Sequence, residues 1–480
     1  MRKAFPLPLL ASGLLASLLS GCNLAPPYVP PTTAAPTEAY SDVGPWTPAA
    51  PADATPRGRW WNVIEDSQLD TLEDRIDHDN FTLAAALARY DQAVALSKRA
   101  SASLLPEIDL GGTAEHAHYP SLPEHDFTLG ASAGYELDLW GRVRNMVSAS
   151  QSEAQASAAD LASIRLSLQG QLADAYLNLR GFDAQIDVLR QTIDDYTQAL
   201  TLTSQRYEGG ASSELDVGRA KTQLGDVQAQ FEQTVANRAL LEHAIAVLVG
   251  ESASRFSIAE QKDQLAPPHV PVEAPSSLLQ RRPDIASAER RVAEANANIG
   301  VFRAALYPTV TLAGAGGYES IGSALHAAAG YWAVGPASVS LPLFDGGRRH
   351  ADVVRARAVF AETSANYRQT VLDAFQQVED QLTLANRLAS AEARQQEAVD
   401  AAVQTDGLAT RRYVEGASDY LEVVTAQTAE LQARQADIQI RTQRLVASID
   451  LVRALGGGWT TAELQPHPKV AKSGMAKPAS

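Results

Sequence analysis

The sequence predicts a mainly α-helical chain that also contributes strands to a membrane β-barrel. Three observations predict this fold class: an internal duplication, two long stretches without proline, and pairs of segments with alternating polarity before those stretches. The charge narrows the possible partners, because the 480 residues carry a formal net charge of -16. Phosphate binding needs a basic face, so nucleic acid is not an expected partner.

One turn-like segment occurs twice in the chain. Residues 206–210 read RYEGG and residues 412–416 read RYVEG, an offset of 206 residues. Each copy lies between two long helical patterns, and glycine favours the left-handed backbone that ends a helix. The repeat therefore predicts two helical hairpins. The residues expected in their tip turns are Arg206, Tyr207, Gly210, Arg412 and Gly416.

The placement of proline predicts long uninterrupted helices. No proline occurs between Pro123 and Pro267 or between Pro342 and Pro466, and an internal proline would break a helix. A heptad seam of apolar residues from Leu161 to Leu200 is typical of a coiled coil. We expect helical hairpins at 141–248 and 348–455, each with a long arm of roughly 95–100 Å at about 1.5 Å per residue.

A pair of strand-like segments precedes each hairpin. Residues 107–115 and 127–139 alternate in polarity, and 309–318 and 331–344 form the second pair, with Pro336 indicating a bulge. Such alternation matches membrane β-barrel strands, which face lipid on one side and water on the other. A soluble, half-buried hairpin is the alternative for each strand alone. The acids of the polar face, expected in the barrel lumen, are Glu107, Asp109, Glu115, Glu136 and Asp138.

Four strands cannot close a membrane barrel. Such barrels have about eight strands or more, and lipid does not tolerate an open sheet edge, so the chain must pool strands with copies of itself. Two copies would only reach that minimum. Three copies give a 12-stranded β-barrel and, from four long helical segments each, a 12-helix α-barrel. A homotrimer around an aqueous passage is therefore the simplest assembly.

The N-terminus predicts a lipoprotein. Residues 1–21 resemble a signal peptide, with basic residues before an apolar run that ends in Leu-Ser-Gly directly before Cys22, as in a bacterial lipobox. The alternative is an ordinary secretory signal with a coincidental cysteine. Cys22 would carry the acyl chains, and Asn23 after it favours outer-membrane delivery. Residues 22–58, rich in Pro, Ala and Thr, are expected to form an extended tether from outer-membrane lipid.

Together these features resemble the TolC-like outer-membrane efflux proteins, in particular the NodT/OprM-type lipoprotein branch of RND-type efflux systems. The markers are Cys22, Trp60-Trp61, LLQRRPDI at 278–285, LPLFDGGR at 341–348 and LGGGW at 455–459. On this resemblance the repeats span 59–272 and 273–458, followed by a flexible tail at 459–480.

The resemblance implies the outer-membrane channel of a tripartite efflux pump. Such a channel is a passive conduit for small molecules, including drugs and toxic organic compounds. It extends into the periplasm, is closed at its periplasmic tip, and opens on contact with a periplasmic adaptor (membrane fusion) protein and an inner-membrane pump. Energy comes from the pump, so no catalytic residues, metal or cofactor are expected.

The resemblance also implies gate residues at the tip. Asp216 matches the acceptor and Tyr413 the tyrosine donor of a polar link that holds the channel closed. The alternative is that Tyr413 packs on its own turn and Asp216 is a solvated residue at a helix start. Glu422 matches one acid of the family's acidic ring, whereas Thr425 replaces the second acid and Ser418 stands where an arginine can occur.

Other functions remain as alternatives. Conduits for protein secretion or heavy-metal ion efflux share the architecture, and a trimeric coiled-coil adhesin or stalk would also show heptads. His116, His118 and His125 cluster at a predicted external loop, but neither a cysteine nor a second histidine pair completes a metal site. The sequence has no glycine-rich phosphate loop, which argues against an enzyme that hydrolyses nucleotides.

Overall fold

The computed structural model describes residues 23–32, 59–116, 125–262, 264–268, 281–321, 329–457 and 459. Cys22, His118, the signal peptide, most of the tether and nearly all of the tail lie outside these residues. The described elements, in chain order after a short 3₁₀ helix at Trp60–Ile64, are α1 (Ser67–Asp79), α2 (Phe81–Ala102), β1 (Glu107–His116), β2 (His125–Leu137), α3 (Arg142–Glu208), α4 (Glu214–Leu248), α5 (Pro283–Ala304), β3 (Thr309–Ile321), β4 (Ala329–Ser340), α6 (Arg348–Val414) and α7 (Tyr420–Ala454).

The two helical hairpins are α3 with α4 and α6 with α7. Both long arms contain 67 residues and both return arms contain 35, so the duplication in the sequence is also present in the structure. The long arms end at Glu208 and Val414, because each helix continues up to its glycine turn. Within the described residues, no helix is long and apolar enough to cross a membrane.

The four strands form one antiparallel sheet in the order β1-β2-β3-β4. Asp109 pairs with Ser132, and Thr128 with Glu319, so polar residues of neighbouring strands share one face. The other face exposes large apolar side chains, including Ile108, Leu110, Leu129, Tyr318, Trp332 and Val334. A broad apolar face is unfavourable in water and matches the lipid-facing side of a membrane strand.

The strands end at other residues than predicted: β1 and β3 end later, at His116 and Ile321, and the other two end earlier. β4 ends at Ser340 instead of residue 344, because Pro342 has no N–H to continue the ladder. β2 ends at Leu137 instead of residue 139, because the chain turns there into α3. The bulge predicted at Pro336 is confirmed by a shift of register in the facing segment of β3.

The chain divides into two compact units. The first comprises Met1–Thr33, Ala88–Ala159 and Ile285–Thr370 and contains the sheet. The second comprises Ala34–Leu87, Asp160–Asp284 and Val371–Ser480. The hydrophobic core of the second unit joins side chains of the 3₁₀ helix, α1, α3, α4 and α7. Apolar residues of the predicted α3 seam are buried in this unit, including Leu168, Leu172, Leu179, Ile186 and Leu189.

Residues 23–32 of the predicted tether are bound within the first unit. The Asn145 side chain donates to the Asn23 side-chain oxygen at 2.9 Å, and Asn296 donates to the Pro26 carbonyl at 2.9 Å. Side-chain donors thus bond oxygen atoms of this segment, which follows directly on the predicted lipidation site. These ten residues of the extended tether predicted at 22–58 contain no helix or strand, and side chains of the first unit hold them.

Candidate functional site

Each tip turn ends its long helix with a glycine in the left-handed conformation. Gly210 has φ of 75° and Gly416 has φ of 77°, a backbone that other residues rarely adopt. The carbonyl oxygens of Arg206 and Arg412 each accept a hydrogen bond from the alanine after this glycine, at 2.7 and 2.8 Å. These bonds are typical of a Schellman helix end, so both copies share one backbone geometry.

The tyrosines of the two turns have different environments. Tyr413 is 5% exposed, whereas Tyr207 is 45% exposed. The Tyr413 ring packs against Tyr420 with the centroids 5.3 Å apart, and its hydroxyl donates to Thr203 Oγ1 at 3.4 Å. Tyr420 stands where the first copy has Glu214. This difference between the copies is a sequence signal for a buried tyrosine pair that only the second turn contains.

Arg206 links the first hairpin to the second. Its Nη1 donates to the carbonyl oxygens of Tyr413 at 2.7 Å and Val414 at 3.3 Å. Its guanidinium carbon lies 4.6 Å from the centroid of the Tyr413 ring. Arg412, at the same position of the second copy, instead pairs with Glu422 at 3.3 Å. The sequence places Arg206 in a turn but gives no sign of its partner, because the contact depends on how the two hairpins pack.

The predicted hydrogen bond between Tyr413 and Asp216 is not formed among the described residues of this chain. The Asp216 carboxylate accepts from Ser213 Oγ at 2.7 Å and Ser212 Oγ at 3.1 Å, in the capping box that begins α4. Burial raises the pKa of Asp216, but these bonds and the Arg219 charge outweigh it and lower the pKa overall. A hydrogen bond between Asp216 of one chain and Tyr413 of another chain stays a prediction.

Glu422 lies in the first turn of α7, with its side chain 47% exposed. Its ion pair with Arg412 spans the turn within one chain. Thr425, which replaces the second acid of the expected ring, donates its hydroxyl to the Leu421 carbonyl at 2.8 Å. Ser418 lies in the turn with a buried hydroxyl oxygen that has no hydrogen-bond partner within the described residues. A ring formed by Glu422 of each chain would contain one carboxylate per chain, and Arg412 of the same chain would pair with it.

Comparison with known proteins identifies the family. The family model described as "Outer membrane efflux protein" matches residues 74–251 and 274–457. The chain belongs to the outer membrane efflux protein family. It is therefore an efflux channel of the outer membrane and not an enzyme.

Two curated relatives match this outer membrane efflux protein over most of its length. It is 31% identical to the pyoverdine export outer membrane protein OpmQ of Pseudomonas aeruginosa, over 92% of this chain and 95% of the relative. It is 30% identical to the toluene efflux pump outer membrane protein TtgF of Pseudomonas putida, over 94% of this chain and 97% of the relative.

A solved structure of the outer-membrane channel OprN has the same fold. Its TM-score is 0.81 at 30% identity, and the match covers 91% of this chain and all of that one. The arrangement of helical hairpins and a small antiparallel sheet is therefore that of a known outer-membrane channel.

The predicted lumen acids of this efflux protein fall into two groups. One face of β1 carries three of them: Glu107, Asp109 and Glu115. Glu136 on β2 pairs with Arg142, whose Nε donates at 2.7 Å. Asp138 lies beyond the strand and accepts from the backbone N–H groups of Val143 at 3.0 Å and Arg144 at 2.9 Å. Asp138 thus caps the start of α3 instead of lying in β2, and its position in the barrel lumen stays a prediction.

The described residues contain no group of three or more side chains placed to bind a metal ion. His116 ends β1 and His125 begins β2, whereas His118 lies outside the described residues.

Proposed function

We propose that three copies of this outer membrane efflux protein join their sheets into one barrel in the outer membrane. The observation that carries this proposal is the apolar strand face, on which Trp332 is 82% and Val334 88% exposed. β1 and β4 form the edges of the sheet in one chain, and lipid does not tolerate open edges. Pairing β1 of one copy with β4 of the next satisfies both edges and encloses the polar face.

We expect the purified full-length protein to cross-link as a trimer and to make liposomes permeable to small solutes. The measurement is amine cross-linking followed by a liposome swelling assay with sugars of increasing size. A coiled-coil adhesin would give trimers without swelling, which would refute the conduit. Liposome swelling by a protein that is still monomeric after cross-linking would refute the barrel shared by three copies.

The proposed partners are a periplasmic adaptor protein and an inner-membrane pump. The support is the family, whose relatives include a component of a toluene efflux pump. The proposed cargo is small organic molecules, because one relative is named for pyoverdine export and another for toluene efflux. The proposed lipid anchor is Cys22, and the bound segment after it would keep the acyl chains close to the first unit.

The proposed gate lies at the tip turns and includes Asp216, Tyr413 and Glu422. We expect Tyr413→Phe and Asp216→Ala each to raise the ion leak of the closed channel severalfold, because each removes one side of a polar link between helical hairpins. Single-channel conductance in planar bilayers measures this leak.

Two matched control variants distinguish the loss of the Tyr413–Asp216 link from local changes within each turn. Tyr207→Phe makes the same change at the exposed tyrosine of the first copy. Ser213→Ala removes the capping hydroxyl of α4 but leaves the Asp216 carboxylate. Closed-state leak equal to that of the wild type in both gate variants would exclude the Tyr413–Asp216 link.

A further inference from the structure

We propose that Arg206 is a positioning residue of the gate, which fastens the second tip turn to the first within one protomer. Its Nη1 bonds the Tyr413 and Val414 carbonyls at 2.7 and 3.3 Å. These carbonyls belong to the last turn of α6, where intrahelical donors run out. A cation there also meets the negative end of the helix dipole. Because the proposal places Arg206 in a closed channel, it rests on the proposed function.

Tyr413 is held from the first hairpin at two points. The Arg206 guanidinium covers its ring at 4.6 Å, and Thr203 Oγ1 lies 3.4 Å from its hydroxyl. The Thr203 hydroxyl donates to the Ala199 carbonyl at 2.8 Å, so it can act as the acceptor for Tyr413. Tyr413 is 5% exposed, so water competes little for either contact.

The two copies of the repeat do not contact each other reciprocally. Arg412 has the same position as Arg206, but its side chain is 56% exposed and pairs with Glu422 across its own turn. Tyr207 is likewise exposed, whereas Tyr413 is buried. The Arg206 contact therefore runs in one direction, from the first hairpin onto the second. Arg411 provides the control of identical chemistry, because it is exposed and donates to the Gly407 carbonyl of its own helix at 3.0 Å.

Separation of the two hairpins of a protomer would break all of these contacts together. A lysine at position 206 keeps the charge but has no planar group to stack on Tyr413 while donating to two carbonyls. We therefore expect Arg206→Lys to retain part of the closed arrangement and Arg206→Ala to lose it.

The first test measures the spacing of the two turns in the full-length trimer. Spin labels are placed at Glu208→Cys and Glu415→Cys, both exposed tip positions, and Cys22 is kept because the proposed acylation uses its thiol. Labelled chains are diluted with unlabelled chain so that one protomer per trimer reports. Pulsed electron paramagnetic resonance should give a narrow distance distribution for the protein with Arg206 intact and for Arg411→Ala. It should give a broader, longer distribution for Arg206→Ala and an intermediate one for Arg206→Lys.

The second test measures closed-state conductance of the unlabelled protein. Arg206→Ala should leak severalfold more than the wild type, whereas Arg411→Ala should not. Distances and leak equal to those of the wild type in Arg206→Ala would overturn the proposal; if that variant does not assemble, the same result in Arg206→Lys would do so. A wild type that never conducts, even at high voltage, would refute the proposed function instead, while the distances would still test Arg206.

Discussion

Asp183→Ala is expected to destabilise the protein by about 3–5 kcal/mol, the cost of breaking a buried ion pair from one side. The Asp183 side chain is fully buried, with one oxygen 2.7 Å from Arg180 Nη1 and the other 2.6 Å from Arg238 Nε. Both arginines are also buried. Removing the carboxylate leaves Arg180 without this buried acidic partner and leaves Arg238 with Glu242, at 3.2 Å, in the second unit.

The same arginines hold the chain that follows α4. Arg180 donates to the Ala259 carbonyl at 2.8 Å, and Arg238 donates to the Ile258 carbonyl at 2.7 Å. The loss of Asp183 is therefore expected to loosen this segment as well, because the guanidinium groups lose the partner that orients them.

Asp187→Ala is the matched control, since it removes an aspartate one turn further along α3. Asp187 pairs at 3.5 Å with Lys262, whose side chain is 81% exposed, and such pairs contribute about 0–1 kcal/mol. Thermal unfolding of the detergent-solubilised protein, followed by circular dichroism, compares the two. A midpoint for Asp183→Ala no lower than that for Asp187→Ala would contradict the role given to this network.

Glu73→Gln is expected to stabilise the protein increasingly as the pH rises from about 5 to 9. Burial, followed by the charges of Asp77, Asp74, Asp174 and Asp70, raises the pKa of Glu73 from 4.5 to about 10. Its two carboxyl oxygens are buried without a hydrogen-bond partner within the described residues.

The sign follows from proton binding in the two states. Between pH 4.5 and about 10 the folded protein keeps the Glu73 proton, whereas the unfolded chain has lost it. Stability therefore falls as the pH rises, by up to about 1.4 kcal/mol per pH unit from this group. A glutamine has no proton to lose, so the variant lacks this contribution to the fall.

The measurement is the thermal midpoint as a function of pH for the wild type, Glu73→Gln and Glu232→Gln. Glu232 is an exposed glutamate on α4, so its change controls for the loss of one negative charge. Curves for the wild type and Glu73→Gln that stay parallel over this range would show that Glu73 does not retain its proton.

The helical hairpins were predictable because their signals are local. Heptad spacing, missing prolines and a glycine at each turn act within a few residues of the structure they specify, so α4 and α7 begin shortly after the predicted turns. The strands were predictable from alternation, although their ends were not. β2 ends before Asp138, because the Asp138 carboxylate accepts a hydrogen bond from the backbone N–H of Val143 at the start of α3.

The contacts of the proposed gate were predictable only in part. Tyr413 and Asp216 were expected to meet, but a capping box satisfies Asp216 within its own turn, and Arg206 lies over Tyr413 instead. Whether Tyr413 contacts Asp216 or Arg206 depends on how the two hairpins pack against each other. No local pattern in the sequence predicts that packing. The unequal pair Glu214 and Tyr420 was the available sign that the two copies of the turn differ.

The most direct test of a conduit closed at its tip is the single-channel conductance of a variant that lacks three tip contacts at once. Arg206→Ala, Tyr413→Phe and Asp216→Ala are combined in the full-length chain, and trimer formation and membrane insertion are checked beside the wild type. The account predicts a wild type that is mostly closed and a triple variant that conducts steadily. An inserted, trimeric triple variant as impermeable as the wild type would contradict it.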